Sequence, residues 1–455
     1  MFTAGLPCFP LSSDVKSIST LRNTANMNHL NLLSASEAVK QIAAGKITSE
    51  QLVRDCLEHI AAREPAVGAW THLDADAAIK KARERDASPS SASRGLLHGI
   101  PIAVKDFIDT CDMPATYGSA IYANHRPAWD APCVALARAA GAVVLGKTVT
   151  TELAYFQPGK TANPRNLAHT PGGSSSGSAA AVADHMAPLA FGSQTAGSVI
   201  RPAAFCGVVG YKPSFGLISR VGAKPLSDTL DTIGVLARSV ADAALFAAAA
   251  SGRDDLISGQ ALSSAPRVGI CRTFEWPRAQ AETQAAMALA ISKLGAAGVP
   301  MIDVELPPNF AGIVHAQSDI MAYEMARSLA YEWHAHRARL SAKLQELIAT
   351  GLALPRERYD AAVTLAHNCR RMTDGLFARA DVLLAPSAIG EAPVGLSATG
   401  DPLFNRLWTL LHTPCVHLPF TQGPNGLPVG LQVVGAIGAD RHTLLCAEYL
   451  LSKLM

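Results

Sequence analysis

The chain has 455 residues, of which 49% are apolar and 17% are charged. This composition supports a large buried core and excludes a disordered chain. The formal net charge of +2 comes without a strongly basic stretch, which argues against nucleic acid as a ligand, and no apolar run is long enough to span a membrane.

The cysteines and histidines give no sign of a disulfide framework or a metal site. Nine cysteines are scattered without a C-x-x-C pair, a pattern typical of reduced thiols in the cytoplasm, where we expect the protein to reside. His334 and His336 stand beside Arg337 and Arg339, with no third ligand at metal-binding spacing. Neither a metal nor another cofactor is therefore predicted.

The first predicted elements are helices that follow a polar segment. Residues 1–33 are mostly polar and aperiodic, and we expect them to form a poorly ordered tail. Capping-box patterns that begin at Ser34 and Thr48 each predict the start of a helix. A third, Ala-rich helix is expected from Asp74 to Arg85.

Strands and helices alternate in the rest of the chain. The predicted elements are a buried strand at Ile100 to Val104, a helix at Pro132 to Ala140, a strand at Val143 to Leu145, a buried helix at Ile233 to Ala250, a strand at Val268 to Cys271, a helix at Thr283 to Leu294, strands at Asp381 to Leu384 and Gly430 to Val434, and a last helix from about Arg441. This alternation predicts an α/β fold: one large domain over residues 34–455, with a mostly parallel mixed central sheet covered by helices on both faces. Residues 308–380 are expected to form a more variable helical region over one side.

The strongest chemical signal lies between positions 99 and 213. Lys105 ends the apolar strand that begins at Ile100, where desolvation would lower its pKa and favour the neutral amine, a proton acceptor. The structural alternative is a strand-end lysine that reaches solvent or pairs with Asp106. The serine-rich loops downstream favour the chemical interpretation.

Two loops of small residues follow. The segment from Gly172 to Gly177 sets three serines among glycines ahead of an Ala-rich helix, and Thr195-Ala-Gly-Ser198 is a second such run. Small residues let backbone N–H groups approach a substrate and converge on one point, as an oxyanion hole requires, and Ser198 would present its hydroxyl there. Ordinary structural turns are the alternative for both loops.

Two shorter motifs match the sequence patterns of other enzyme classes without the secondary structure that those patterns require. Gly141 to Thr148 fits the P-loop pattern, but its middle positions, Ala-Val-Val-Leu, are expected to be a strand rather than a phosphate-binding loop. Gly173 to Gly177 fits the nucleophile elbow of Ser–His–Asp esterases, with Ser175 as the nucleophile. A loop, and not a strand, precedes that segment.

Taken together, these residues resemble the amidase signature family. The resemblance rests on Gly-Ile-Pro-x-x-Val-Lys-Asp ending at Asp106, Pro-Gly-Gly-Ser-Ser from Pro171, and Gln-Thr-x-Gly-Ser-x-Ile-Arg-Pro-Ala from Gln194, in that order. The segment from Asn425 to Gly435 is similar to the family's C-terminal signature. The resemblance implies the amidase signature fold and hydrolysis of a carboxylic amide, or of a related carbamate- or urea-type C–N bond.

The resemblance also implies roles for individual residues. Ser198 would be the acylated nucleophile, Ser174 the bridging serine, usually associated with a cis peptide, and Lys105 the buried base. Ser176 stands where many members have glycine, which should restrict the backbone of that loop. The oxyanion hole would be formed by the backbone amides of Thr195, Ala196, Gly197 and Ser198.

Substrate contacts are expected from Arg201, Tyr155, Phe156, Gly173, Ser175 and Trp408. Arg201 either binds a substrate carboxylate or packs its loop, and core packing is the alternative for the aromatic side chains. The expected partner is a small-molecule amide, and a homodimer is compatible with this interpretation. Alternatives are an aryl carbamate or aryl acylamide hydrolase, the A subunit of a tRNA-dependent amidotransferase, a Ser–His–Asp esterase and an inactive binding relative.

Overall fold

The computed structural model describes residues 29–88, 95–257 and 261–455, so most of the predicted tail lies outside the described residues. In the described part of that tail, Leu30–Leu32 form a short 3-10 helix. The backbone N–H of Asn31 donates to the Asp55 carboxylate at 2.8 Å. Described structure therefore begins a few residues before the boundary expected at residue 34.

The first helices begin where the sequence provides capping side chains. Helices α1 (Ala35–Ala43) and α2 (Ser49–Val67) follow complete capping boxes at Ser34 and Thr48. In each box the hydroxyl accepts a backbone N–H that the helix itself leaves unbonded. Helix α3 (Ala75–Asp86) is also present, with a capping aspartate. These three predicted helices are confirmed.

Eleven strands in the described residues form one sheet. In chain order they are β1 (Trp70–Leu73), β2 (Pro101–Lys105), β3 (Val143–Thr148), β4 (Leu189–Gln194), β5 (Val209–Lys212), β6 (Thr232–Ala237), β7 (Val268–Ile270), β8 (Met301–Asp303), β9 (Val382–Pro386), β10 (Cys415–Gln422) and β11 (Pro428–Val434). Their order across the sheet is β1-β3-β2-β4-β6-β5-β10-β11-β9-β7-β8. The predicted single α/β domain with a mixed central sheet is confirmed.

The balance of strand pairings differs from the prediction of a mostly parallel sheet. β2 pairs in parallel with β3 and β4, and β7 with β8 and β9, whereas the other six neighbouring pairs are antiparallel. The segment from Ile233 to Ala250, predicted to be one helix, instead holds the antiparallel strand β6 before a helix. Alternation of strands and helices indicates parallel pairing only where a helix makes the crossover.

Eleven further helices of the described chain accompany the sheet. They are α4 (Pro132–Ala139), α5 (Ser176–Ala183), α6 (Ile200–Cys206), α7 (Val240–Ser251), α8 (Ala281–Ala296), α9 (Ile313–Ser328), α10 (Ala330–His336), α11 (Ala342–Ala353), α12 (Arg356–Phe377), α13 (Leu403–Leu410) and α14 (Asp440–Leu454). None of the helices in the described residues is long and apolar enough to cross a bilayer.

The helical region expected near residues 308–380 contains α9 to α12. With α13, these helices build a second apolar cluster around Phe310, Ile320, Leu344 and Trp408. This cluster is separate from the main core along the sheet. Helices α9 and α13 thereby come to lie against the loop that follows β4.

Most cysteines of the described residues are core residues, and none of these forms a cross-link. All eight in the described residues are free thiols, and seven of them are buried. Burial raises the pKa of Cys56 and of Cys206 to about 12. The thiolate form that nucleophilic chemistry needs is therefore disfavoured at both positions.

Candidate active site

Lys105, the last residue of β2, is fully buried. Its Nζ donates to the Oγ of Ser174 at 2.7 Å and to the Oγ of Ser193 at 2.8 Å. Burial lowers the pKa of Lys105 well below its usual value; the Asp231 carboxylate opposes this shift and the Arg201 guanidinium adds to it. The neutral amine, which can accept a proton, is therefore favoured.

The structure removes the two simple explanations for Lys105. The side chain does not reach solvent, and Asp106 has other partners. The Asp106 carboxylate accepts the backbone N–H of Thr116 at 3.0 Å and lies 3.5 Å from the Nζ of Lys147. Lys147 belongs to β3, whose Val143–Thr148 span takes in most of the P-loop-like motif. A strand there cannot cradle a phosphate group.

Ser174 lies in the loop before α5, and the Gly173–Ser174 peptide bond is cis, as the resemblance implies. Ser175 is fully buried, and its hydroxyl donates to the Ser193 carbonyl at 3.3 Å. No histidine is among the hydrogen-bond partners of Ser175 in the described residues, so the esterase alternative gains no support. Ser176 begins α5, where helical backbone angles suit any residue.

One pocket brings most of the predicted residues together. It is lined by Ser174, Thr195, Ala196, Ser198, Arg201, Tyr155 and Phe156, and also by Ala154, Leu226, Met321, Met325 and Pro402, which were not predicted. Trp408 is not among the lining residues, because it is fully buried in the apolar cluster of α9 to α13. Gly173 and Ser175, two other predicted contacts, do not line the pocket either.

The loop from Thr195 to Ser198 links β4 to α6. In the described residues, no acceptor is bonded to the N–H groups of Ala196, Gly197 and Ser198. The next two N–H groups, of Val199 and Ile200, donate to the Gln194 side chain at 2.9 and 3.1 Å. Three successive unbonded N–H groups beside a serine can donate to a carbonyl oxygen that gains negative charge.

Gly197 is selected by the close approach of α13. A Cβ atom at this position would lie 2.5 Å from the Oδ1 of Asn405 and 2.7 Å from the Cβ of Pro402. Both distances are too short for a non-bonded contact, so a side chain would displace the loop.

The family resemblance assigns this loop to an oxyanion hole, and on that expectation Gly197→Ala should lower kcat/KM about 100-fold, the scale of losing one oxyanion donor. Gly375→Ala is the matched control, because a Cβ at Gly375 would meet nothing within 4 Å. Steady-state kinetics of both variants, with thermal melts to confirm folding, measure the effect. Equal activity in the two variants would show that the loop tolerates the added methyl group.

Arg201 has both a structural role and unused donors. It is 2% exposed, and its Nη2 donates to the Gly173 carbonyl at 2.7 Å and to the Thr399 hydroxyl at 3.3 Å. Its Nε and Nη1 have no partner in the described residues. Burial, reinforced by the Arg406 guanidinium, lowers the pKa of Arg201 to about 9, so the group is still cationic at neutral pH.

Two polar residues of the site were not found from the sequence. Ser193, in β4, is the second partner of Lys105. Asp231 accepts the Thr195 hydroxyl at 2.6 Å and the backbone N–H of Leu226 at 2.8 Å, and burial raises the pKa of Asp231 to about 6. No local pattern marks either residue, because only the antiparallel pairing of β4 with β6 brings Asp231 next to Thr195.

Comparison with known proteins identifies the family. Residues 51–444 match the model of the family described as Amidase. The A subunit of glutamyl-tRNA(Gln) amidotransferase from Anaeromyxobacter sp. (strain K) is 34% identical, over 92% of this chain and 96% of that protein. The corresponding protein of Nitratidesulfovibrio vulgaris (strain DP4) is 33% identical, over 94% of this chain and 98% of that protein.

Solved structures agree with the sequence relatives. One described as a crystal structure of amidase superimposes with a TM-score of 0.85 and 30% identity, covering 93% of this chain and all of that chain. The native peptide amidase from Stenotrophomonas maltophilia gives a TM-score of 0.76 and 31% identity, with 92% and 96% covered. The chain therefore belongs to the amidase (amidase signature) family.

Proposed function

We propose that the protein is an amidase that hydrolyses a small-molecule carboxylic amide through an acyl-enzyme on Ser198. The observation that carries the proposal is the 2.7 Å hydrogen bond from fully buried Lys105 to Ser174. Ser174 shares one pocket with Ser198. A neutral lysine can take a proton from Ser174 while Ser174 takes one from Ser198, which activates a nucleophile that is otherwise weak.

The proposed reaction has two halves. Ser198 Oγ attacks the carbonyl carbon, its proton passes through Ser174 to Lys105, and the carbonyl oxygen becomes an oxyanion facing the unbonded N–H groups of residues 196–198. The proton then returns through Ser174 to the leaving nitrogen, and the amine departs. Water attacks the acyl-enzyme by the same proton route and releases the acid and free Ser198.

A second candidate function is favoured by the sequence relatives. Two of them, at 34% and 33% identity, are named as the A subunit of glutamyl-tRNA(Gln) amidotransferase. In that role the same pocket would take an amide within a complex of several proteins. Aryl carbamates and aryl acylamides are also substrates that the proposed chemistry allows.

The purified chain, assayed by itself, separates these candidates. We would measure ammonia or amine release from primary amides, peptide amides, anilides, aryl carbamates, ureas and glutamine. Turnover of one class by the chain alone supports the amidase proposal and names the substrate class. Turnover of glutamine only within a complex recovered from the source cells would support the amidotransferase role instead.

We also propose that the unused donors of Arg201 bind an acceptor group of the substrate, such as a carboxylate. Arg201→Met is expected to raise KM about 10- to 100-fold for amides that carry a carboxylate, the worth of a charge-assisted hydrogen bond. Neutral amides should lose much less. Kinetics on a matched pair, such as a dicarboxylic acid half-amide and its methyl ester, measure the difference. An equal loss on both would assign Arg201 to holding Gly173 alone.

A further inference from the structure

Two neighbouring helices donate hydrogen bonds to backbone carbonyl groups of the loop 195–198, the proposed oxyanion loop. Nε2 of Gln317, a fully buried residue of α9, donates to the Thr195 carbonyl at 2.9 Å. Oγ1 of Thr409, in α13, donates to the Ala196 carbonyl at 2.7 Å. Both donors therefore come from the helices that pack over this loop, and neither was singled out by the sequence.

These carbonyl contacts set the direction of the N–H groups. In a trans peptide, the C=O of one residue and the N–H of the next point in opposite directions within a rigid plane. A bond to the Thr195 carbonyl therefore turns the Ala196 N–H away from Gln317, and a bond to the Ala196 carbonyl turns the Gly197 N–H away from Thr409. Neither of those two N–H groups is bonded to an acceptor in the described residues.

The oxygen of the Gln317 side-chain amide is also hydrogen-bonded. Nη1 of Arg406 donates to the Oε1 of Gln317 at 2.5 Å and to the Ser318 hydroxyl at 3.3 Å. Arg406 cannot donate to an amide NH₂ group, so it settles which end of the Gln317 amide faces Thr195. Arg406 of α13 therefore orients the Gln317 NH₂ group towards the Thr195 carbonyl.

Helix α9 is also linked to the Thr195 side chain by a second chain of hydrogen bonds. Glu324, two turns further along α9, accepts the Ser227 hydroxyl at 2.5 Å and the Thr229 hydroxyl at 2.9 Å. The backbone N–H of Ser227 donates to Asp231 at 3.0 Å, and Asp231 accepts the Thr195 hydroxyl. Residues seven apart lie on one face of a helix, so one face of α9 holds Thr195 at both its carbonyl and its side chain.

We propose that Gln317 is a positioning residue for the oxyanion hole, and that α9 is thereby part of the catalytic apparatus as well as a cover. Gln317 acts by donating to the Thr195 carbonyl, which aims the Ala196 N–H at the developing oxyanion. This inference rests on the proposed function, because it assumes that Ser198 is the nucleophile.

The test uses Gln317→Met, which keeps the side-chain length and removes the donor. We expect kcat to fall about 10- to 100-fold with KM nearly unchanged, a smaller loss than removal of an oxyanion donor outright. Gln345→Met is the matched control, since Gln345 in α11 donates to the Leu340 carbonyl at 2.8 Å, in the residues just before its own helix.

A fluorophosphonate probe makes the test independent of the substrate. Ser198 Oγ would form a bond to phosphorus, the P–F bond would break with loss of fluoride, and the serine proton would pass to Lys105 through Ser174. The phosphoryl oxygen would occupy the oxyanion hole. Gln317→Met should therefore slow the labelling of Ser198 by the same factor as kcat, and Gln345→Met should not.

Gln317→Glu keeps the test valid if Gln317→Met does not fold. A glutamate keeps the shape and the Arg406 contact but sets a carboxylate oxygen against the Thr195 carbonyl. Protonation restores a donor, so the labelling rate relative to wild type should rise as pH falls. Equal labelling of the folded variants and wild type would overturn the inference alone. Absence of Ser198 labelling in wild type would overturn the proposed function together with it.

Discussion

Ser198→Ala is expected to lower kcat for amide hydrolysis about 10⁴-fold or more, because no acyl-enzyme can form without the nucleophile. Ser198 lines the pocket, and its side chain is small. Loss of one hydroxyl there should leave the fold and Tm close to wild type. Product release from a responsive amide, measured beside thermal melts of both proteins, gives the result.

Ser175→Ala is the informative control for this experiment. Ser175 is the nucleophile of the esterase alternative, yet its hydroxyl is buried against the Ser193 backbone. We expect this variant to keep kcat within about tenfold, since it loses only two long neutral hydrogen bonds, both of 3.3 Å. Loss of activity with Ser175→Ala and retention with Ser198→Ala would reverse the assignment of the nucleophile.

Lys105→Met is expected to lower kcat about 10³- to 10⁴-fold, at the upper end of the contribution of a general base. Methionine fills a similar volume without an amine, so the proton of Ser174 loses its acceptor. Single-turnover rates of wild type and variant, each checked by thermal melt, measure the effect. A Lys105→Arg variant that is equally inactive would agree with a neutral base, because the guanidinium keeps its proton. An active Lys105→Met variant would exclude this role.

The lowered pKa of Lys105 also predicts how activity and stability depend on pH in wild type and in Lys105→Met. Because the neutral amine is the active form, wild-type kcat/KM should be lost as pH falls through the folded pKa and should level off above it, well below 10.5. The folded state binds fewer protons than the unfolded state between the folded and the unfolded pKa. Stability should therefore rise with pH across that window, and this slope should be smaller in Lys105→Met when Tm is followed against pH.

The sequence supports strong predictions where the chemistry is local. Lys105 could be singled out because it ends an apolar strand and serine-rich loops follow it, and the P-loop match could be rejected because its middle residues are typical of a strand, which is β3 in the structure. The helix starts at Ser34 and Thr48 depend on residues three apart. Each of these signals lies within a few positions of the residue that it concerns.

The site residues that the sequence does not reveal depend on contacts between segments far apart in the chain. Met321 lines the pocket from α9. Gln317, also in α9, and Asp231, in the loop before β6, form hydrogen bonds with Thr195. A methionine on a helix face usually indicates core packing, and nothing near Gln317 distinguishes it from a surface glutamine. Trp408 shows the opposite error, since an aromatic side chain expected at the substrate is fully buried in the second apolar cluster.

A covalent acyl-enzyme on Ser198 can be detected directly by trapping that intermediate. A substrate that turns over is mixed with the enzyme, quenched in acid within the first turnover, and the protein is digested and mapped by mass spectrometry. We predict an adduct of the acyl mass on the peptide that contains Ser198, and none in Ser198→Ala. Hydrolysis that proceeds with no adduct, or with an adduct on the Ser175 peptide or a cysteine, would rule out Ser198 as the nucleophile.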